Sequence, residues 1–439
     1  MAETTVDHAL ADYARQDSAA AEAARAAFDW LTAGEGLQTV TTHRLADFLW
    51  YQLPVKWDGD VSEKLFVAGA LGELFRRLER PRYQAMCTSP TTEEIVTAYE
   101  FDGDAVALRA YRAALDATGV RPPDIPGLIE WGSVMGTDEN DAYWSTSHVL
   151  EKAVAAGELR PGAAGWRKTA ARLAAQFLQS PHDDLTGTTW AQWMLAERLE
   201  NWAMSRSLTR ARLANAIVDK LTNPLPPPAD VAERLAPVRW LLDHAVEGMA
   251  LTQAGYLAPT IVVEGWKRFT WLRFTTKPRS ESDVGELWTL RQWVQEMKLV
   301  RRQRRRLSLS TVGKGLQSGG AEQLWETVLA NLTGTDEAGA AAAEIALMLM
   351  LEGEPMGTGL NEQVAETLTE LGWRSERTGK MTPDHAATLL APLRRRLDLL
   401  GLVKAPRAGD PMVLTDSGKI AAHTALRARA LAPRHDIYG

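Results

Sequence analysis

At 439 residues the chain is too long for one ordinary hydrophobic core, so two to four domains are expected. A hydrophobic share of 45% and a charged share of 24% match globular averages and exclude wholesale disorder. The net charge of −7 conceals a pole: residues 1–150 carry −12, 151–230 carry +2, 231–320 carry +7 and 321–439 carry −4. Exposed charges act over about 10 Å at ordinary salt, so a local basic block attracts an anionic partner whatever the total.

The opening MAETTVDHALADYARQD has acids where a signal peptide has a basic end and an apolar run. No stretch approaches the roughly eighteen apolar residues of a membrane span, so no membrane association and a cytoplasmic location are expected. Cys87 is the single cysteine, which excludes an internal disulfide and any C-x-x-C pair. With no paired base near it in RYQAMCTSPTT, it reads as a buried structural thiol ahead of a nucleophile.

Apolar residues recur at three and four, which predicts a mainly α-helical protein. In KLFVAGALGELFRRLER, Leu65, Ala68, Leu71, Leu74 and Phe75 share one stripe while Glu73, Arg76 and Arg77 face out. Before it, DFLWYQLPVKW crowds aromatics at a helix end, as a subdomain core ahead of a partner groove. A proline-containing loop follows, with an acidic cluster at Asp138, Glu139 and Asp141; it divides the N-terminal region near residues 120–145 or forms one long surface connection. In WAQWMLAERLENWAMSRSLTRARLANAIVDKL, Trp190, Trp193 and Trp202 fall at helical spacing beside Leu195 and Leu199, which favours core packing over a ligand platform.

Residues 222–230, TNPLPPPAD, exclude helix and favour an extended spacer. The expected organisation is an acidic helical domain over residues 1–222, a proline-rich linker at 223–230, and two further domains at 231–333 and 334–439.

Those two domains share an order of elements. The first runs APVRWLLDHAVEGMA, LTQAGYLAPTIVVEGWKRF, SDVGELWTLRQWVQEMK and LVRRQRRRLSLSTVGKGLQ. The second runs AAAAEIALMLMLEG, GLNEQVAETLTELGW, PDHAATLLAPLRRRLDLLG and LVKAPRAGDPMVLTDSGKIAAHTALRARAL. In each, Leu-Val opens a short strand after a helix, polar turn residues follow, and an alternating strand places Leu307 and Leu309, or Met412 and Leu414, on one face. A Ser or Thr around Thr311 and Thr415 then caps the next helix, with Gly313 and Gly418 relieving crowding against the hairpin.

Three helices, a hairpin and a closing helix resemble the winged-helix family, a variant of the helix-turn-helix, over about 200 residues. LVRRQRRRLSLSTVGK and GLVKAPRAGDPMVLTDSGK carry the resemblance. The first copy departs through the insertion TWLRFTTKPRSESD, and the second through Pro392, expected to kink or restart its third helix. The chain as a whole also resembles a family of bacterial proteins, a resemblance that implies no activity.

In DNA-binding members the third helix enters the major groove and the wing touches phosphate or the minor groove. The resemblance therefore implies DNA contacts from Arg301, Arg302, Arg304, Arg305 and Arg306 on the first wing. Arg291, Gln292, Gln295 and Lys298 on the third helix would reach base edges or phosphates. Arg394, Arg395 and Arg396 lie on the matching helix of the second copy, where a solvated face is the leading reading. For the first wing, phosphate binding ranks ahead of contact with a protein partner and of simple protection of a β edge.

Reactive constellations are not evident. G-x-x-x-x-G-K-[ST], G-x-G-x-x-G, G-x-S-x-G and H-E-x-x-H do not occur. GSVMG has its serine misplaced for a nucleophile elbow, and GKGLQSGG has the wrong order for a phosphate loop. His182 with Asp183 and Asp184 reads as a helix stop and cap ahead of a metal site. No catalytic residue, metal or cofactor is expected. The sequence thus points to a nucleic-acid-binding protein, with a scaffold or adaptor binding protein partners as the alternative and an enzyme as a distant third.

Overall fold

A computed structural model describes residues 5–182, 185–269, 277–375, 379–407 and 410–435. Across them the chain is mainly α-helical with two small antiparallel sheets, as the periodicity predicts. No helix among the described residues is long and apolar enough to cross a membrane. Two compact units are present: residues 1–194 with 433–439, and residues 195–432.

In the first unit, helices Ser18–Thr32 and Val61–Arg77 pack together through Ala24, Phe28, Leu71 and Phe75. Asp60 begins the second of these with a capping box, its carboxylate taking the Glu63 N–H while the Glu63 carboxylate takes its own. Phe48, Leu49 and Trp50, from the aromatic-rich stretch, sit in one π-helical turn and are buried. Trp50 Nε1 donates to Thr92 Oγ1 at 2.8 Å, which satisfies the indole in a subdomain core. Cys87 is buried and its thiol pKa is pushed up by that burial. Apolar residues on either side of 115–129 belong to different hydrophobic clusters.

The second unit begins earlier than the proline stretch. Leu213, Ala214, Ile217 and Leu221 precede the prolines yet join the same hydrophobic cluster as helix Glu337–Leu351. Residues 223–230 therefore lie inside this unit and do not stand between units. Prolines dictate an extended local backbone, but the destination of the flanking apolar side chains decides what they separate. Residues 231–333 and 334–439 likewise share one cluster, running from Leu199 to Ala430, and do not form separate cores.

Glu337–Leu351 is buried on nearly every side, as a helix apolar all round must be. Its buried Glu344 pairs with Arg210, at 2.7 Å from Nη2, and with Arg429. Without those guanidinium groups the carboxylate would carry an uncompensated desolvation cost.

The two expected runs of elements are present. The first has helix Ala236–Val246, strand β1 (Met249–Ala250), helices Pro259–Arg268 and Gly285–Glu296, then β2 (Val300–Gln303), β3 (Arg306–Leu309) and helix Thr311–Ser318. The second has helices Glu337–Leu351, Thr358–Glu370 and Pro383–Leu399, then β4 (Val403–Lys404), β5 (Val413–Leu414) and helix Asp416–Ala430. β3 lies between β1 and β2, so β1 and β2 are the edge strands. In the second run an isolated bridge from Met356 to Met412 stands where β1 meets β3 in the first.

One local expectation is corrected, and one cap is assigned. Pro392 does not restart its helix; it is exposed within the continuous Pro383–Leu399 segment, where water reaches the backbone its ring leaves unbonded. The first closing helix is capped by Ser310, whose Oγ accepts from Gly313 N at 2.9 Å. Thr415 does cap the second, accepting from Gly418 N at 3.0 Å. Residues 270–276 of the insertion lie outside the described residues, as do Asp183 and Asp184.

Candidate nucleic-acid interface

The hairpin follows from its apolar alternation. Val300, Leu307 and Leu309 are buried, and Val300 opposes Leu309 while Gln303 opposes Arg306. That register leaves Arg304 and Arg305 as the two residues of a tight turn. Arg301, Arg302, Arg304, Arg305 and Arg306 are all exposed. None of the five forms an ion pair with a carboxylate among the described residues, and Arg302 Nε donates to the Arg304 carbonyl at 3.3 Å. A strand rise of about 3.3 Å and a spacing of about 4.8 Å confine five permanent charges to one ribbon tip, within roughly a Debye length or two.

Backbone geometry at both ends of β2 is unusual. Arg304 has φ +52° and Lys298 has φ +56°, the left-handed region that glycine favours. At Lys298 the helix ends in a Schellman arrangement: Leu299 N donates to Val294 O at 3.0 Å, and Lys298 N to Gln295 O at 2.9 Å. The second run ends its third helix identically, with Leu402 N on Leu397 O and Gly401 N on Asp398 O, and its left-handed residue is Gly401 at φ +61°. Lysine thus stands in the first run where glycine stands in the second. Each left-handed non-glycine residue costs on the order of 1 kcal/mol.

The third helix contributes less than expected. Arg291 is 7% exposed, and its Nε donates at 2.6 Å to Glu281, which is fully buried. Its Nη1 donates to Gln295 Oε1 at 3.0 Å, so Gln295 is partly engaged too. Glu281 also accepts from Leu257 N at 2.8 Å, which ties the end of the insertion to the strand β1 loop. Arg291 is therefore corrected from a base-reading residue to an internal clamp, because a buried guanidinium stays with its carboxylate. Trp288, Gln292, Gln295 and Glu296 reach solvent along this helix, as do Gly285 and Glu286 at its start, and Lys298 is exposed just past its end.

The second basic triplet diverges in the same way. Arg396 is 5% exposed; it pairs with Glu296, donates to Leu332 O at 3.1 Å and lies 5.3 Å over the Trp293 ring. It therefore joins the two third helices to each other and is corrected from a candidate contact residue. Arg394 is half-buried and donates to Asn361 Oδ1, whereas Arg395 is exposed. One cation of three remains at the surface, so the solvated-face reading holds for Arg395 alone.

β1 carries no sequence signal, since two residues after Gly248 show no period; its pairing of Met249 with Leu307 and Ala250 with Arg306 holds the hairpin root. Of the tryptophans read as core, Trp190 and Trp202 are partly buried and pack against hydrophobic clusters, while Trp193 is exposed. Comparison of the chain with protein-family models, with curated proteins and with solved structures finds no match.

Proposed function

We propose that the C-terminal unit binds nucleic acid, most simply duplex DNA, through phosphate contacts from Arg301, Arg302, Arg304, Arg305 and Arg306 with Lys298 beside them. The carrying observation is that cations occupy both left-handed positions flanking β2, where glycine would be easier for the backbone. Their exposure, with no ion pair among the described residues, in a chain of net charge −7 supports the same reading. Three helices, an antiparallel hairpin and a closing helix support a winged-helix interpretation of each run.

Binding of this kind rests on the backbone and tolerates many sequences. With Arg291 internal and the neighbouring third helix joined through Arg396, direct base contact falls to Trp288, Gln292 and Gln295. About five phosphate contacts give a slope of log affinity against log salt near −4 to −5. The test measures duplex DNA affinity at several salt concentrations for the parent and for a variant with all five wing arginines changed to alanine. Loss of affinity and flattening of the slope are expected. Weak binding unchanged by the substitutions rejects the nucleic-acid reading and leaves the adaptor reading, for which exposed Trp288 is a ready protein contact.

A further inference from the structure

The first unit contains a cavity of about 410 Å³, within the range of small-molecule sites. Helix Val61–Arg77 ends in a Schellman arrangement, Arg80 N donating to Phe75 O at 2.8 Å and Glu79 N to Arg76 O at 3.2 Å. Glu79 takes the left-handed position at φ +55°, and the chain turns directly into helix Pro81–Cys87. That turn supplies one wall, with Arg80, Pro81, Arg82 and Tyr83. Helix Thr137–Ala155 supplies the facing one with Glu151, Lys152 and Ala155, and Leu37 and Val40 add hydrocarbon.

The lining sets Arg80, Arg82 and Lys152 against Glu79 and Glu151, with His148 and Thr41 as further polar groups. Glu151 is buried and already committed: both its oxygens accept from Thr42 N at 3.0 Å, and Oε1 accepts from Thr42 Oγ1 at 2.7 Å and lies 3.1 Å from the Tyr83 hydroxyl. Arg82 Nη1 stands 3.9 Å from that carboxylate, beyond hydrogen-bonding distance. Arg80 and Lys152 form no ion pair among the described residues. Burial raises the Tyr83 hydroxyl pKa, as does the Glu151 charge, while Arg82 and Arg80 act in the opposite sense, so both guanidinium groups lie near the same wall.

We infer that this cavity is a binding site for a small amphipathic oxyanion, an apolar body bearing a carboxylate or phosphate group. Arg80, Arg82 and Lys152 receive the oxyanion, the guanidinium fork matching either group, while Leu37, Val40, Pro81 and Ala155 take the hydrocarbon. The committed Glu151 fixes the cavity floor by holding the Thr42 backbone and does not compete for the ligand's place on Arg80 and Lys152.

The test is titration calorimetry on the full chain with octanoate, phenyl phosphate, inorganic phosphate and neutral 1-octanol. Saturable binding of octanoate or phenyl phosphate is expected, whichever is tighter identifying the headgroup, with inorganic phosphate and octanol weaker. Arg80→Ala and Arg82→Ala should each weaken it about tenfold, the scale of one charge-assisted hydrogen bond. Lys152→Ala, at an exposed helical position, serves should an arginine variant lose its circular-dichroism signature of folding. Absence of saturable binding by both amphipathic anions, equal affinity in the folded variants, or octanol binding as well as octanoate overturns the inference. DNA binding is measured in parallel and should not change, which separates this site from the basic hairpin.

Discussion

Gly313 lies so close to Leu299 that a Cβ on it would stand 1.9 Å from the Leu299 carbonyl oxygen. The same approach recurs between Gly418 and Leu402, at 2.0 Å. Each carbonyl also accepts an N–H from the residue capping the closing helix, Ser310 or Thr415, at 2.9 Å. Helix end, strand start and closing helix therefore meet at one backbone contact in both runs.

Gly313→Ala and Gly418→Ala should each destabilise the C-terminal unit, by about 1–3 kcal/mol, since the clash is with backbone and not with a side chain that can swing away. Urea unfolding followed by circular dichroism measures this. Alanine at Gly315, where nothing lies within 4 Å, is the control and should leave the midpoint near the parent's.

Lys298→Gly and Arg304→Gly should move stability and binding in opposite directions. Relief of the left-handed strain stabilises by up to about 1 kcal/mol, reduced by the extra freedom glycine has in the unfolded chain. Each should also lower the salt slope of DNA binding by about 1. A variant that gained stability and bound DNA with the parent's slope would disconnect these positions from phosphate.

Arg291→Leu should separate internal from external arginines. It leaves fully buried Glu281 without its partner, at a cost of about 3–5 kcal/mol, and the salt slope of whatever remains folded should be unchanged. Arg305→Ala should do the reverse, with stability within about 0.5 kcal/mol of the parent and a shallower slope. Denaturant midpoints and binding isotherms on the same samples decide it.

His43 provides a pH signature in the first unit. It is buried beside Trp144 and Tyr143 with Nδ1 3.0 Å from Ser147 Oγ, and burial, aided by the Arg121 charge, lowers its pKa to about 3. The ring is thus neutral when folded and gains a proton near pH 6.5 when unfolded. Its contribution is fully present above pH 6.5 and is lost as pH falls from there toward 3, with a slope of up to about 1.4 kcal/mol per pH unit. Urea midpoints between pH 7 and 5 should fall less steeply for His43→Gln than for the parent; parallel slopes would count against a buried neutral ring.

Local pattern was enough for the helices, for the hairpin at β2 and β3, and for the crowded glycines Gly313 and Gly418, because periodicity, turn chemistry and close backbone approach act over a few residues. It was also enough to mark the hairpin arginines, whose charge in an acidic chain needs no fold to be noticed. Arg291, Arg396 and Arg305 are indistinguishable as letters. What separates them is whether a carboxylate distant in sequence or carried on another helix, Glu281 or Glu296, arrives beside the guanidinium, and packing alone decides that. The same holds for the proline stretch, whose backbone was legible while its place inside the second unit depended on Leu213 and Leu221 finding helix Glu337–Leu351. The cavity at Arg80, Arg82 and Lys152 left no mark in the sequence, since its walls are brought together from segments some seventy residues apart by burial of apolar surface, which is non-directional and carries no local signature.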